Sequence, residues 1–332
     1  MIIENFPALI GKHCETTATG SLLNQIGVEL SEPMLFGLGE GLGFIFWHMK
    51  SMDFPFIGGR VKPDALTENI CRNLGLHLEV KETASAKKAW ENVVQYIDQG
   101  QAVGLKLDCY HLEYFTNKIH FAGHYVAMYG YDQQKAYLVD SNRNNLPLTT
   151  SLESLALARS EKGPMASKNL SYTIKQGTQA YDLKEAVKTA IINNAQVHLN
   201  PPIQNLGYKG IAKTAKEIKK WFKRSDNIKH EFTTTAMLME KAGTGGALFR
   251  NLYRDFLEEA YELLPLEEIK AAQHSFQAIA LQWTTIAHLL EQAGNTENEA
   301  YIHEASELLV QVSESERVTM DALLNEFLQM GR

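Results

Sequence analysis

Phe121-Ala122-Gly123-His124-Tyr125-Val126-Ala127-Met128-Tyr129-Gly130-Tyr131-Asp132, followed closely by Lys135-Ala136-Tyr137-Leu138-Val139-Asp140, reads as two neighbouring strands with Asp132 in the turn between them. His124 opens the first and Asp140 closes the second. Far upstream, Gly11-Lys12-His13-Cys14-Glu15-Thr16-Thr17-Ala18-Thr19 sets a cysteine at the head of a predicted first helix. The apolar spacing of Ala18, Leu22, Leu23 and Ile26 carries that helix to about Ile26. Thr16, Thr17, Thr19 and Gly20 are weak helix formers, so tertiary packing must hold it. An early Cys followed by His and then Asp on adjacent strands is the order required by a nucleophile, its base and the acid that orients the base.

A cysteine at a helix N-terminus lies near the positive end of the dipole and near unpaired N–H groups, both of which favour the thiolate. Cys14 is then expected to attack a carbonyl carbon and hold the acyl group as a thioester, with His124 taking the thiol proton and Asp140 orienting the imidazole. Passing the acyl group to water makes a hydrolase; passing it to an amine makes a transferase. The competing readings treat Cys14 as a small buried hydrophobe, His124 as packing and the run from Asp140 to Asn145 as a turn, which leaves a non-catalytic binding protein. Asp132 is a rival orienting acid, and His13 ranks below His124 because neighbours at a helix start point apart. No Gln precedes Cys14 in Asn5-Phe6-Pro7-Ala8-Leu9-Ile10. The expected oxyanion donors are therefore the Cys14 N–H and a second group such as Asn5.

With 332 residues and 45% hydrophobic content, the chain can bury a sizeable core in one large domain or two. A net charge of −7 without a dominating basic run argues against nucleic-acid binding. The N-terminus lacks a basic region followed by a long apolar run, and no apolar stretch spans a bilayer, so a cytoplasmic protein without membrane attachment is expected. Cys14, Cys71 and Cys109 offer neither CxxC nor CxH spacing, so no metal site and no disulfide are expected.

Along the chain, Glu32 introduces Gly37-Leu38-Gly39-Glu40-Gly41-Leu42-Gly43, a glycine at every second position. This is neither a phosphate-binding loop nor a dinucleotide fingerprint. It reads either as a turn that lets the backbone approach a ligand, with Glu32, Gly39 and Gly41 as substrate-lining candidates, or as a tightly packed structural turn. Helices are predicted over 64–74 and 86–99, with strands near 76–80, 102–107 and 169–174. Helices followed by mostly antiparallel strands give an α+β domain over residues 1–177. Beyond Gly177 the pattern becomes helical, so 178–332 is read as a mostly α-helical domain. Within it, 209–224 is a basic amphipathic helix, a solvated face or a dock for an acidic partner. Gly243-Thr244-Gly245-Gly246 interrupts the helices, either as a substrate-lining turn with Gly245 a further candidate or as a helix junction alone.

His13-Cys14, Ser31-Glu32 with Phe36 to Phe44, Gly123-His124-Tyr125-Val126 and Gly130-Tyr131-Asp132 together resemble the N-terminal domain of the butirosin biosynthesis protein H-like family. Gly243 to Arg250, with Tyr253 and Phe256, is similar to the helical domain that commonly follows it. The resemblance implies a papain-like cysteine-peptidase fold and acyl transfer from an acyl-carrier-protein or CoA thioester to a small-molecule amine, with no other cofactor. It implies Cys14 as nucleophile, His124 as base and Asp140 as orienting acid. The chain departs from the pattern at Ser141, where such proteins often carry Pro.

Overall fold

The computed structural model describes residues 1–50, 52–116, 118–143, 147–163 and 166–330. In chain order its elements are α1 (Cys14–Gln25), α2 (Glu32–Leu38), β1 (Leu42–Trp47), β2 (Phe56–Arg60), α3 (Ala65–Asn73), β3 (His77–Lys81), α4 (Ala86–Ile97), β4 (Val103–Leu107), β5 (His124–Tyr131), β6 (Lys135–Val139), β7 (Leu148–Ser151), α5 (Leu152–Ser160) and β8 (Ser171–Lys175). The helices α6 (Leu183–Leu199), α7 (Gly207–Arg224), α8 (Ile228–Lys241), α9 (Arg250–Leu263), α10 (Glu267–Thr296) and α11 (Glu299–Met330) follow. The α+β class, with a helix and antiparallel strands before a helical region, is as the sequence predicts. No helix among the described residues is long and apolar enough to cross a membrane.

The chain forms two compact units, residues 1–35 with 63–181, and residues 36–62 with those from 182 onward. The predicted boundary near 177 lies a few residues before the third crossing, at 181/182, but 36–62 leaves the first domain and belongs to the unit of the helices. The first unit holds a six-stranded sheet in the order β3-β8-β4-β5-β6-β7, with every pairing antiparallel. Val93 and Ile97 of α4, Leu105 of β4, Val126 and Met128 of β5, Leu138 of β6 and Leu155 of α5 form its core. Side-chain caps start the helices: Ser85 accepts from the Lys88 N–H and Ser151 from the Ser154 N–H. Gly130 is required by close approach, because a Cβ there would lie 2.8 Å from the Cα of Ile2, which bridges to it. Pairing of β5 with β6 sets Ala127 opposite Val139. Continued by one step, that register brings Asp140 opposite Val126, one diagonal from His124 on the same face.

In the second unit the turn expected over 37–44 is instead the end of α2 and the start of β1. Gly37 is a packing glycine: a Cβ at that position would overlap the Phe256 ring at 2.1 Å. The long helices α10 and α11 pack together, with α8 and α9 against α10, and α6 and α7 against α11. Ile211, Ala215, Ile218 and Phe222 of α7 are buried as the amphipathic pattern predicts, and its lysines remain partly or fully exposed. Gly243, Gly245 and Gly246 take positive φ in the junction between α8 and α9, as do the buried Ala247, Leu248 and Phe249. At the centre of this unit a fully buried Arg250 meets Glu316 in a bidentate pair, Nε to Oε1 at 2.8 Å and Nη2 to Oε2 at 2.9 Å. Trp283 Nε1 donates to the same carboxylate at 2.8 Å, and His198 Nε2 lies 3.3 Å from it.

Candidate active site

Cys14 is the first residue of α1, where an N–H has no acceptor within its own helix. His13 caps the helix, its Nδ1 accepting from the Thr16 N–H at 3.4 Å. The Glu32 carboxylate grips the segment before the cysteine. Both its oxygens accept from the Lys12 N–H at 2.9 Å, and Oε1 also accepts from the His13 N–H at 2.8 Å and from Thr16 Oγ1 at 2.9 Å. Glu32 therefore positions the nucleophile loop, a use that the substrate-lining reading did not foresee. Gly11 is needed beneath it, since a Cβ there would lie 2.5 Å from Glu32 Oε1.

His124 Nε2 lies 2.9 Å from Asp140 Oδ2, which leaves Nδ1 as the other ring nitrogen, and the imidazole makes a further hydrogen bond with the Cys14 side chain. The residues that the sequence names as nucleophile, base and orienting acid are thus brought together. Asp140 is fully buried and receives neutral donors besides the imidazole: the Tyr114 hydroxyl at 2.9 Å on Oδ2 and the Ser141 N–H at 2.7 Å on Oδ1. The chain after Asp140 is tied to the segment before Cys14. The Asn142 N–H donates to the Gly11 carbonyl at 2.8 Å, and its side-chain amide donates to the Lys12 carbonyl at 3.1 Å. Asn142 has a positive φ of 56°, a conformation to which Asn is among the better suited residues. Phe115 meets the His124 ring edge-on at 5.5 Å, and the Arg143 guanidinium lies over Phe115 at 5.0 Å.

Burial opposes protonation of His124, but the charges of Asp140 and Cys14 and its hydrogen bonds to both overcome it. They hold the imidazole well above its ordinary value. Burial, followed by the Asp140 charge, raises the Tyr114 phenol well above its usual range, so it remains a donor. Burial pushes the Cys71 thiol up to about 12 and also raises Cys109, which lies in the field of His124, Asp108, Asp140 and Cys14. Cys14 and His124 each keep a narrow solvent-accessible edge, 8% and 7% exposed.

Other candidates fall elsewhere. Asp132 closes the turn between β5 and β6, accepting from the Gln134 and Lys135 N–H groups and the Tyr137 hydroxyl. Asn5 is exposed in a turn. Gly39, Gly41 and Gly245 belong to the second unit, where a Cβ on Gly41 would meet Phe36 and the Gly245 carbonyl accepts from the Asn251 amide. Of the run after Asp140, Asn144 and Asn145 lie outside the described residues. Sequence reasoning missed Tyr114, Phe115 and Asn142, whose loop positions carry no periodic signal.

Residues 13–141 match the family model described as "Butirosin biosynthesis protein H, N-terminal", and residues 153–323 match "Domain of unknown function (DUF4872)". The first match encloses Cys14, His124 and Asp140. No curated protein matches the chain.

Proposed function

Because the chain belongs to the butirosin biosynthesis protein H-like family, we propose that it is a cysteine-dependent acyltransferase, moving an acyl or aminoacyl group from a carrier thioester to an amine. The observation that supports this most directly is His124 hydrogen-bonded both to Asp140 and to Cys14, with the cysteine opening a helix. In this mechanism the Cys14 sulfur attacks the thioester carbonyl while His124 takes the thiol proton. The carbonyl π pair moves onto oxygen, where the Cys14 N–H is a donor. Collapse expels the carrier thiolate, which recovers the proton from His124, and leaves the acyl group on Cys14. The acceptor amine then attacks that thioester, gives its proton to His124, and the Cys14 sulfur departs and is reprotonated. Asp140 holds the ring and offsets its positive charge throughout.

An acyl carrier protein or CoA supplies the donor in this reading, and a small-molecule amine accepts. Intact-mass analysis with a panel of acyl-CoA and acyl-pantetheine thioesters tests it. The wild type should gain one acyl mass that an amine discharges, and Cys14→Ala should gain none. The same three residues also serve hydrolysis, so release of free acid at a rate indifferent to added amine would establish a hydrolase instead. An unacylated wild type across the panel, with Cys14 alkylated no faster than a free thiol, would indicate a binding protein.

A further inference from the structure

We propose that His111, His120 and Glu161 form a site for a divalent transition-metal ion of the zinc type, built on the β4–β5 loop and closed by the residue after α5. One donor atom from each lies within 4.8 Å of the other two. His111 Nε2 and Glu161 Oε2 are already in contact at 2.5 Å. Two imidazoles and a carboxylate, with one position left open, suit zinc, whose bonds of about 2.0–2.1 Å put tetrahedral ligands ~3.3 Å apart. The His120 side chain is 60% exposed, so closing that gap requires no repacking of the core.

The surroundings are arranged as they are behind a ligating histidine. Asp108, whose side chain is only 2% exposed, takes His120 Nδ1 at 3.1 Å on Oδ2, and holds the Tyr110 and Phe121 N–H groups at 2.9 and 3.0 Å on Oδ1. A buried carboxylate on Nδ1 fixes the tautomer and leaves the Nε2 lone pair for a metal. Tyr110 stacks on His120 at 3.9 Å. Ser154 donates to the His111 carbonyl, which anchors the second imidazole to α5. The Lys162 N–H occupies Glu161 Oε1 at 3.0 Å, leaving Oε2 toward His111. An ion here replaces the direct contact between His111 and Glu161. It would also pin the loop from which Tyr114 and Phe115 reach Asp140 and His124.

The test uses the full-length protein, stripped with EDTA and titrated with zinc(II) in competition with a chromophoric chelator. One ion per chain is expected. His120→Ala, at an exposed position where folding is not at risk, should weaken binding by at least about tenfold, and Asp108→Asn by about 10–100-fold. Cys14→Ala should leave the affinity unchanged. Cobalt(II) should give the visible bands of a four-coordinate site without thiolate charge transfer. Absence of saturable binding, loss of binding in Cys14→Ala but not in His120→Ala, or a cobalt–thiolate band would each overturn the proposal. None of these readouts depends on acyl transfer.

Discussion

His124 with Asp140 in the first unit, and His198 with Glu316 in the second, are both buried imidazole–carboxylate pairs, at 2.9 and 3.3 Å, yet they bind protons oppositely. Burial, helped by the positive Arg250, overrides the Glu316 charge and lowers His198 to about 4. His124 is buried as well, and is nevertheless raised well above its ordinary value. His124 also has the Cys14 charge and hydrogen bonds to both neighbours, which His198 lacks, and the two carboxylates differ in what else they hold. Glu316 already faces a bidentate guanidinium, so its charge is largely cancelled before the histidine sees it. Among the described residues, the donors to Asp140 apart from His124 are neutral, the Tyr114 hydroxyl and the Ser141 N–H and hydroxyl, so its field remains available to the imidazole. The proton affinity of a buried histidine beside a carboxylate thus depends on the other charges and hydrogen bonds around the pair.

The sharpest way to break this contrast is Asp140→Asn. It should lower kcat/KM for acyl transfer by about 10³–10⁴-fold, the scale set by loss of an orienting carboxylate. Single-turnover acylation of Cys14 measures it, and an unaffected rate would remove Asp140 from the site. In the second unit, Glu316→Gln strands the Arg250 guanidinium in the core and should cost about 3–5 kcal/mol, read as a lower denaturant midpoint. Transfer chemistry should survive wherever the protein remains folded.

The pH dependence separates the two histidines by sign. For His198 the folded value lies below 6.5, so the unfolded chain takes the proton first. Its stabilisation is complete above 6.5 and is lost as pH falls toward and through about 4. For His124 the folded value lies above 6.5, so its contribution is complete below that and is lost as pH rises through the folded value. Equilibrium unfolding across pH should show His198→Gln flattening the acid limb and His124→Gln the alkaline one; matching behaviour of the two would contradict the contrast. The smallest effect is expected from Tyr114→Phe, which deletes one neutral donor to Asp140, worth about 1 kcal/mol. Thermal melting should register it, and the His124 imidazole resonance should titrate no lower than in the wild type.

The site was legible where its parts are local. Two strands joined by a turn put His124 and Asp140 on one face by register alone, and a cysteine at a helix head needs no tertiary information to be noticed. What joins them is not local. Tyr114 and Asn142 come from irregular loops, and Glu32 acts through backbone N–H groups that no side-chain motif encodes. The alternating glycines left ligand approach and tight packing open, and at Gly37 the Phe256 ring, more than two hundred residues away in the chain, decides for packing. The exchange of residues 36–62 between units is likewise a matter of packing partners, and no composition shift marks it. His111, His120 and Glu161 share no spacing of a metal motif, so only folding reveals them as neighbours.

The ties from Asn142 to Gly11 and Lys12 span about 130 residues of chain. During synthesis the nucleophile emerges early, but the base, the acid and the loop that locks them arrive only once β6 has been made. A ribosome-bound or truncated chain ending before β5 thus carries the cysteine without His124 and Asp140, and one ending before Asn142 still lacks the ties to Gly11 and Lys12. Strand β8, which lies between β3 and β4 in the sheet, is made later still, so the sheet carrying His124 is completed only after the loop that ties it to the cysteine segment.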